Sequence, residues 1–249
     1  MRKLVATGGL MVALVGFAGT ASANHSWNGY HWARTSNPFT IKLGDNVSGS
    51  WDSHLQTASA DWSQSTVLDT TIVAGGTNPR PCRPTSGRVE VCSASYGNTG
   101  WLGLAQIWIT GGTHITQGVV KNNDYYFSPS STYPYNNEAE KLHVICQEIG
   151  HTLGLDHQDT SGASLNTCMD YYHNTGDSDT KSTHPNNHDY DELVTIYTHL
   201  DSFTTVGAAA GFLPDAVPSF APATRLNDST YVDDLGGGRK LVTYVIWVH

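Results

Sequence analysis

The sequence predicts a mixed α/β fold of the α+β kind, with short strands and a few helices. Three observations lead there. Alternating or β-branched runs fill residues 39–43 and 70–123. Apolar residues recur at helical spacing near 51–65, 139–153 and 190–199. Two β-type runs around Gly236-Gly237-Gly238 close the chain at 230–248, as a hairpin would. With 249 residues the chain can bury one large core or two small ones.

The first element is a leader. Arg2 and Lys3 precede an apolar stretch from Leu4 to Phe17, and Ala21-Ser22-Ala23 supplies small residues for cleavage. Residues 1–23 therefore read as a signal peptide, which places the mature protein outside the cell. The apolar stretch is shorter than the ~20 residues a spanning helix needs, and no later segment could cross a bilayer. Residues 24–201 read as the main domain, 202–225 as an Ala-, Gly- and Pro-rich linker, and 226–249 as a C-terminal hairpin extension. Too few residues separate Ala23 from the first strand to hold an inhibitory segment. No internal repeat is present.

In that main domain Phe39, Ile41 and Leu43 alternate with polar residues in a half-buried strand. Trp51, Leu55, Ala58 and Trp62 then mark a first helix. Strand-like runs follow at residues 71–73, 88–91, 105–109 and 115–120, broken by glycines. A loop rich in Tyr, Pro, Ser and Asn at 125–137 leads into a second helix over 139–153. That helix sends Leu142, Ile145, Ile149 and Leu153 to the core. A third helix over 190–199 carries Leu193, Ile196, Tyr197 and Leu200 on one face.

Composition narrows the function. The formal charge is −9, with 13 Lys and Arg against 22 Asp and Glu, so a general binder of phosphate backbones is excluded. Charged residues make up only 14% and apolar ones 39%, which excludes disorder throughout. Four cysteines in an exported chain imply two disulfides. Of the three pairings, Cys82 with Cys92 closes a small loop, leaving Cys146 with Cys168. A zinc–thiolate site is the alternative, but no C-x-x-C spacing supports it.

The chemistry lies in residues 147–157, Gln-Glu-Ile-Gly-His-Thr-Leu-Gly-Leu-Asp-His. Residues 147 and 151 are four apart, so on a helix both leave one face and can bind one ion. Glu148 sits about 100° around, where its carboxylate can take a proton from a metal-activated water. Gly154 can end the helix in a left-handed conformation, after which the chain turns back and His157 reaches the ion. Other chemistries are thin. No serine sits in a G-x-S-x-G elbow, and the triple glycine lacks the Lys-Ser/Thr of a phosphate loop.

Apart from Gln147, this segment is the long zinc-protease motif H-E-x-x-H-x-x-G-x-x-H. Downstream, Cys168-Met169-Asp170-Tyr171 resembles the Met-turn of the metzincin zinc endopeptidases, and its Met-x-Tyr spacing resembles the astacin and serralysin groups. The resemblance covers residues 27–200. It implies a secreted endopeptidase, acting as a monomer on protein or peptide substrates, with one catalytic Zn2+. His151 and His157 would hold the metal, with Gln147 at the position of the third ligand. Glu148 would be the general base, Tyr171 would hydrogen-bond the developing oxyanion, and Met169 would lie beneath the site. A Cys146–Cys168 bridge would fasten that turn to the helix. Residues 114–123 would be the edge strand that pairs with extended substrate, and 190–199 the closing helix.

Gln147 departs from the family pattern. An amide oxygen is a weaker zinc ligand than imidazole. Gln147 binds weakly, or one of His114, His143, His173, His184, His188 and Asp159 replaces it, or the site has lost tight metal binding. His143 is eight residues from His151, ~12 Å along the axis, and reads as a packing residue. The alternative function is a catalytically inactive exported binding protein on the same scaffold. Asp177, Asp179, Asp189 and Asp191 offer oxygens to a structural Ca2+, although the twelve-residue calcium loop is absent and a solvated acidic loop is the simpler reading.

Overall fold

The computed structural model describes residues 24–176, 178–207 and 223–249. The expected signal peptide, most of the linker and Asp177 lie outside these residues. In chain order the elements are β1 (His31–Trp32), β2 (Phe39–Asn46), α1 (Asp52–Trp62), β3 (Leu68–Ala74), β4 (Val89–Ala94), β5 (Trp101–Thr110) and β6 (His114–Asn123). Then come α2 (Asp124–Phe127), α3 (Glu138–Thr152), α4 (Asn187–Ile196), β7 (Thr224–Arg225), β8 (Thr230–Gly236) and β9 (Arg239–Trp247). No helix among the described residues is long and apolar enough to cross a membrane.

One mixed sheet runs in the order β3-β2-β4-β6-β5-β9-β8-β7, with β1 added beside the start of β6. Strands β3, β2, β4 and β6 pair in parallel, and α1 provides the crossover between β2 and β3. β5 returns antiparallel to β6 through Gly111 and Gly112, both at positive φ. Trp51, Leu55, Ala58 and Trp62 bury one face of α1 as their spacing requires. Asn137 opens α3 by accepting from the Glu140 amide at 2.8 Å.

α3 lies across β5 and β6 at close range. A Cβ on Gly103 of β5 would fall 2.5 Å from Val144, and one on Gly118 of β6 would fall 3.3 Å from Thr152. Ile145, Ile149 and Leu153 are fully buried as expected, while Leu142 is only half-buried. A smaller cluster on the opposite face packs Trp108, Val119 and Leu241 around the Cys82–Cys92 bridge. β5 is thus covered on both sides, which explains its unbroken apolar sequence. The second bridge joins Cys146 to Cys168.

Two expectations change. Residues 114–123 are not an edge strand: β6 is interior, between β4 and β5. The tight hairpin covers one side of β6, and the outer edge of β5 is itself paired with β9. The third helix begins three residues earlier than expected. Asn186 and Asp189 form a reciprocal capping box there, and Leu200 lies outside the helix and 55% exposed rather than on its buried face.

Candidate active site

The last turn of α3 and the chain that follows it bring two imidazoles together edge to face, with ring centroids 4.4 Å apart and planes at 75°. His151 Nδ1 donates to the Leu155 carbonyl at 2.9 Å, which leaves Nε2 as a bare lone pair. Burial, reinforced by His157 close by, holds the His151 pKa well below the ordinary histidine range, so the ring is neutral. The Nε2 atoms of His151 and His157 are 3.0 Å apart. His157 reaches this position because Gly154 turns the chain at φ 102°, with the Tyr30 carbonyl 2.3 Å from where a Cβ would be.

Glu148 lies three residues before His151 on α3, fully buried, with neither carboxylate oxygen hydrogen-bonded. Burial pushes its pKa well above the ordinary carboxylate range, and the nearby Ile246 main chain offsets this only in part. A divalent cation held by the two imidazoles would favour the carboxylate instead. Two imidazole nitrogens 3.0 Å apart, one of them on the helix of an unpaired acid, fit a zinc ion by donor type.

The segment after Thr167 forms the floor. Met169 is fully buried, and a Cβ on Gly150 would fall 2.4 Å from its sulfur. Gln147 is buried, and its Nε2 donates to the carbonyls of Cys168 at 2.8 Å and Asp170 at 2.7 Å. That leaves Oε1 as the free end of the amide, with no partner. The Cys146–Cys168 bridge fixes one of these carbonyls relative to the helix.

The six alternative third ligands are engaged elsewhere. His143 lies 3.1 Å from the Asp170 carbonyl, and His173 2.7 Å from Glu140. His184 lies 2.7 Å from Asp61, His188 stacks on His25, and His114 lies 3.3 Å from Asp201. Asp159 accepts from Ser161. The carboxylates proposed for calcium do not converge among the described residues. Asp189 binds His25, Thr167 and the Asn186 amide, while Asp179 accepts from Tyr172.

The sequence gives no warning of β9 at this site. It runs antiparallel along β5 with Tyr244, Val245 and Ile246 opposite Ala105, Leu104 and Gly103. The Tyr244 ring stacks on His151 at 4.2 Å with an interplanar angle of 6°. The Tyr171 hydroxyl, kept protonated by burial, donates to the Val245 carbonyl at 2.6 Å. The β-type run after the triple glycine signals a strand, but not which edge it would join. What remains open is a cavity of about 710 Å³ beside Tyr171, lined also by Ser161, Asn227, Ser229, Trp247 and His249.

No protein-family model matches the chain, and no curated protein matches it in sequence. Among solved structures it is similar to myroilysin at 13% identity, over 66% of this chain and 82% of that one, with a TM-score of 0.36. It is also similar to high choriolytic enzyme 1, a hatching enzyme zinc-protease from Oryzias latipes (medaka fish). That match has 12% identity, covers 68% of this chain and 94% of the other, and has a TM-score of 0.36.

Proposed function

We propose that the chain is an exported zinc-dependent endopeptidase of the metzincin type whose cleft is closed by its own C-terminal strand. The observation that carries this reading is the His151–His157 nitrogen pair with the unpaired Glu148 carboxyl beside it. His151 and His157 would hold the metal, with Gln147 Oε1 as the third protein donor. Zinc there would supply a Lewis acid for the scissile carbonyl. Glu148 takes a proton from the attacking water and returns it to the leaving amine. Tyr171 donates to the carbonyl oxygen as charge develops on it.

β9 mimics an extended substrate. It adds main-chain pairing along β5, and its Val245 carbonyl takes the hydrogen bond that Tyr171 would give to a peptide. Closure explains why Glu148 and His151 are fully buried. The wild-type protein should therefore contain zinc and cleave unfolded casein slowly, in a chelator-sensitive manner. Glu148→Ala should abolish cleavage with zinc retained. Tyr244→Ala, assayed where its circular dichroism is native, should cleave faster by removing the ring that lies on His151.

A non-catalytic exported binding protein is the second reading. It is favoured by Gln147, whose amide nitrogen is tied to the turn beneath the site. Zinc-loaded Tyr244→Ala that leaves casein intact would establish it in place of the peptidase.

A further inference from the structure

A second group of metal-binding side chains lies at the start of β6, and it shares no residue with the cleft. His31 Nε2 is 3.1 Å from His199 Nε2. Asp201 Oδ1 lies 3.3 Å from His114 Nε2, 3.6 Å from His31 Nε2 and 3.9 Å from His199 Nε2. Ligand atoms at the corners of a tetrahedron with zinc bonds of 2.0–2.1 Å are about 3.3 Å apart. The three separations among His31, His199 and Asp201, from 3.1 to 3.9 Å, bracket that value. We infer that His31, His199 and Asp201 form a second divalent-metal site of the zinc type.

The surroundings orient the donors inward. His31 is nearly fully buried, and its Nδ1 donates to the Gly29 carbonyl at 2.6 Å, leaving Nε2 as the free lone pair. Asp201 turns Oδ2 away to Arg34, which binds it through Nη1 at 3.0 Å and its main-chain amide at 3.2 Å. Arg34 is itself 2% exposed, lies over the Tyr197 ring at 4.7 Å, and donates through Nη2 to the His199 carbonyl. One buried arginine thus holds both ligand-bearing residues after α4. Phe203 covers the His114 ring at 4.9 Å.

A plain hydrogen-bond network around Asp201 is the competing account. It would satisfy the 3.1 Å imidazole pair, because His199 can donate to His31. It leaves three imidazoles crowded on one carboxylate oxygen, two of them beyond 3.5 Å and so too long for good hydrogen bonds. Two imidazoles and one carboxylate form an N2O set that suits zinc, with water able to complete a tetrahedron. The ion would clip the chain after α4 to β1, closing a very long loop.

The test counts metal and needs no activity. The full chain is stripped with chelator, reloaded with ZnCl2 and assayed for bound zinc, beside His151→Ala, His199→Ala and the double variant. His199 is a safe position, since its side chain is 52% exposed. His151→Ala should retain one zinc, His199→Ala should lose one equivalent relative to wild type, and the double variant should hold none. Co2+ in place of zinc in His151→Ala should give the intense visible bands of a tetrahedral ion, absent from the double variant. If His199→Ala binds as much zinc as wild type, or if the Co2+ bands are absent from His151→Ala, the second site is refuted. An empty cleft alone would leave wild type and His151→Ala with one zinc each, so failure of the peptidase reading shows separately.

Discussion

Replacing Gly150 by alanine tests whether the turn after Thr167 packs beneath α3. The added Cβ would fall 2.4 Å from Met169 Sδ and 2.7 Å from Trp62 Cζ2, and both side chains are fully buried. Trp62 cannot swing freely, because its Nε1 donates to the Cys146 carbonyl at 3.1 Å. Met169 has flexible torsions, but its main chain is tied by Thr167 and Gln158. Alanine gains about 1 kcal/mol of helix propensity. Overpacking costs typically about 1–3 kcal/mol, and with two neighbours to displace the upper end applies. The net loss should be about 1–2 kcal/mol, a fall in Tm of about 2–8 °C for a chain of this size. Met169→Ala alone should cost about 2–5 kcal/mol by leaving a cavity. Combined, the two should cost less than their sum by about 0.5–3 kcal/mol, because the new methyl enters the space the sulfur leaves. Urea titrations of the four proteins measure this coupling. Additive losses, or a Gly150→Ala protein more stable than wild type, would refute the packing of Met169 against Gly150.

Gln147→His should raise zinc affinity, seen as slower metal loss to a chromogenic chelator; unchanged or weaker binding would mean that residue 147 does not face the metal. Removing the Cys146–Cys168 bridge, whose partners are 22 residues apart, should cost about 3.4 kcal/mol from loop entropy, against about 2.7 kcal/mol for the 10-residue Cys82–Cys92 separation. Only the former should also weaken zinc binding, because it releases the Cys168 carbonyl that holds Gln147; equal effects on zinc would contradict that link. Burial pushes the Glu140 carboxyl up, but hydrogen bonds and charge from His143 and His173 outweigh it and hold the pKa down to about 2. A depressed carboxyl stabilises the fold above its unfolded pKa and loses that contribution as pH falls, here between about 4.5 and 2. Glu140→Gln should flatten the fall in urea midpoint over that window, and an unchanged slope would exclude Glu140 as its source.

The local parts of the site were legible because they depend on short-range geometry. The four-residue spacing of 147 and 151, the helix-ending Gly154 and the position of His157 each follow from helix dimensions. The disulfides followed from cysteine count and compartment. What escaped was pairing between distant segments. β6 reads equally well as an edge or an interior strand, because a β-branched run records burial and not the identity of its neighbours. The terminal hairpin was recognised from its glycines, yet nothing in residues 239–247 says that they join β5 and cover His151. The His31–His199–Asp201 group escaped for the same reason: its members come from β1 and the chain after α4, and each alone reads as an isolated polar residue.

Closure by β9 and the state of Glu148 are one phenomenon. Burial is the main cause of the raised Glu148 pKa, and the Ile246 main chain of β9 near the carboxyl lowers it only in part. A neutral carboxylic acid is not a general base. Displacing the strand would therefore do two things together: open the β5 edge to a peptide and hydrate Glu148, returning its pKa toward the ordinary carboxylate range. In the proposed peptidase, access and activation would then be coupled. A peptide that replaced β9 would bury Glu148 again, so the base must be held ionised at that stage by a cation on His151 and His157. The Tyr244 ring lies on the imidazole that would carry this cation, so the proposed latch and the proposed ligand are in direct contact.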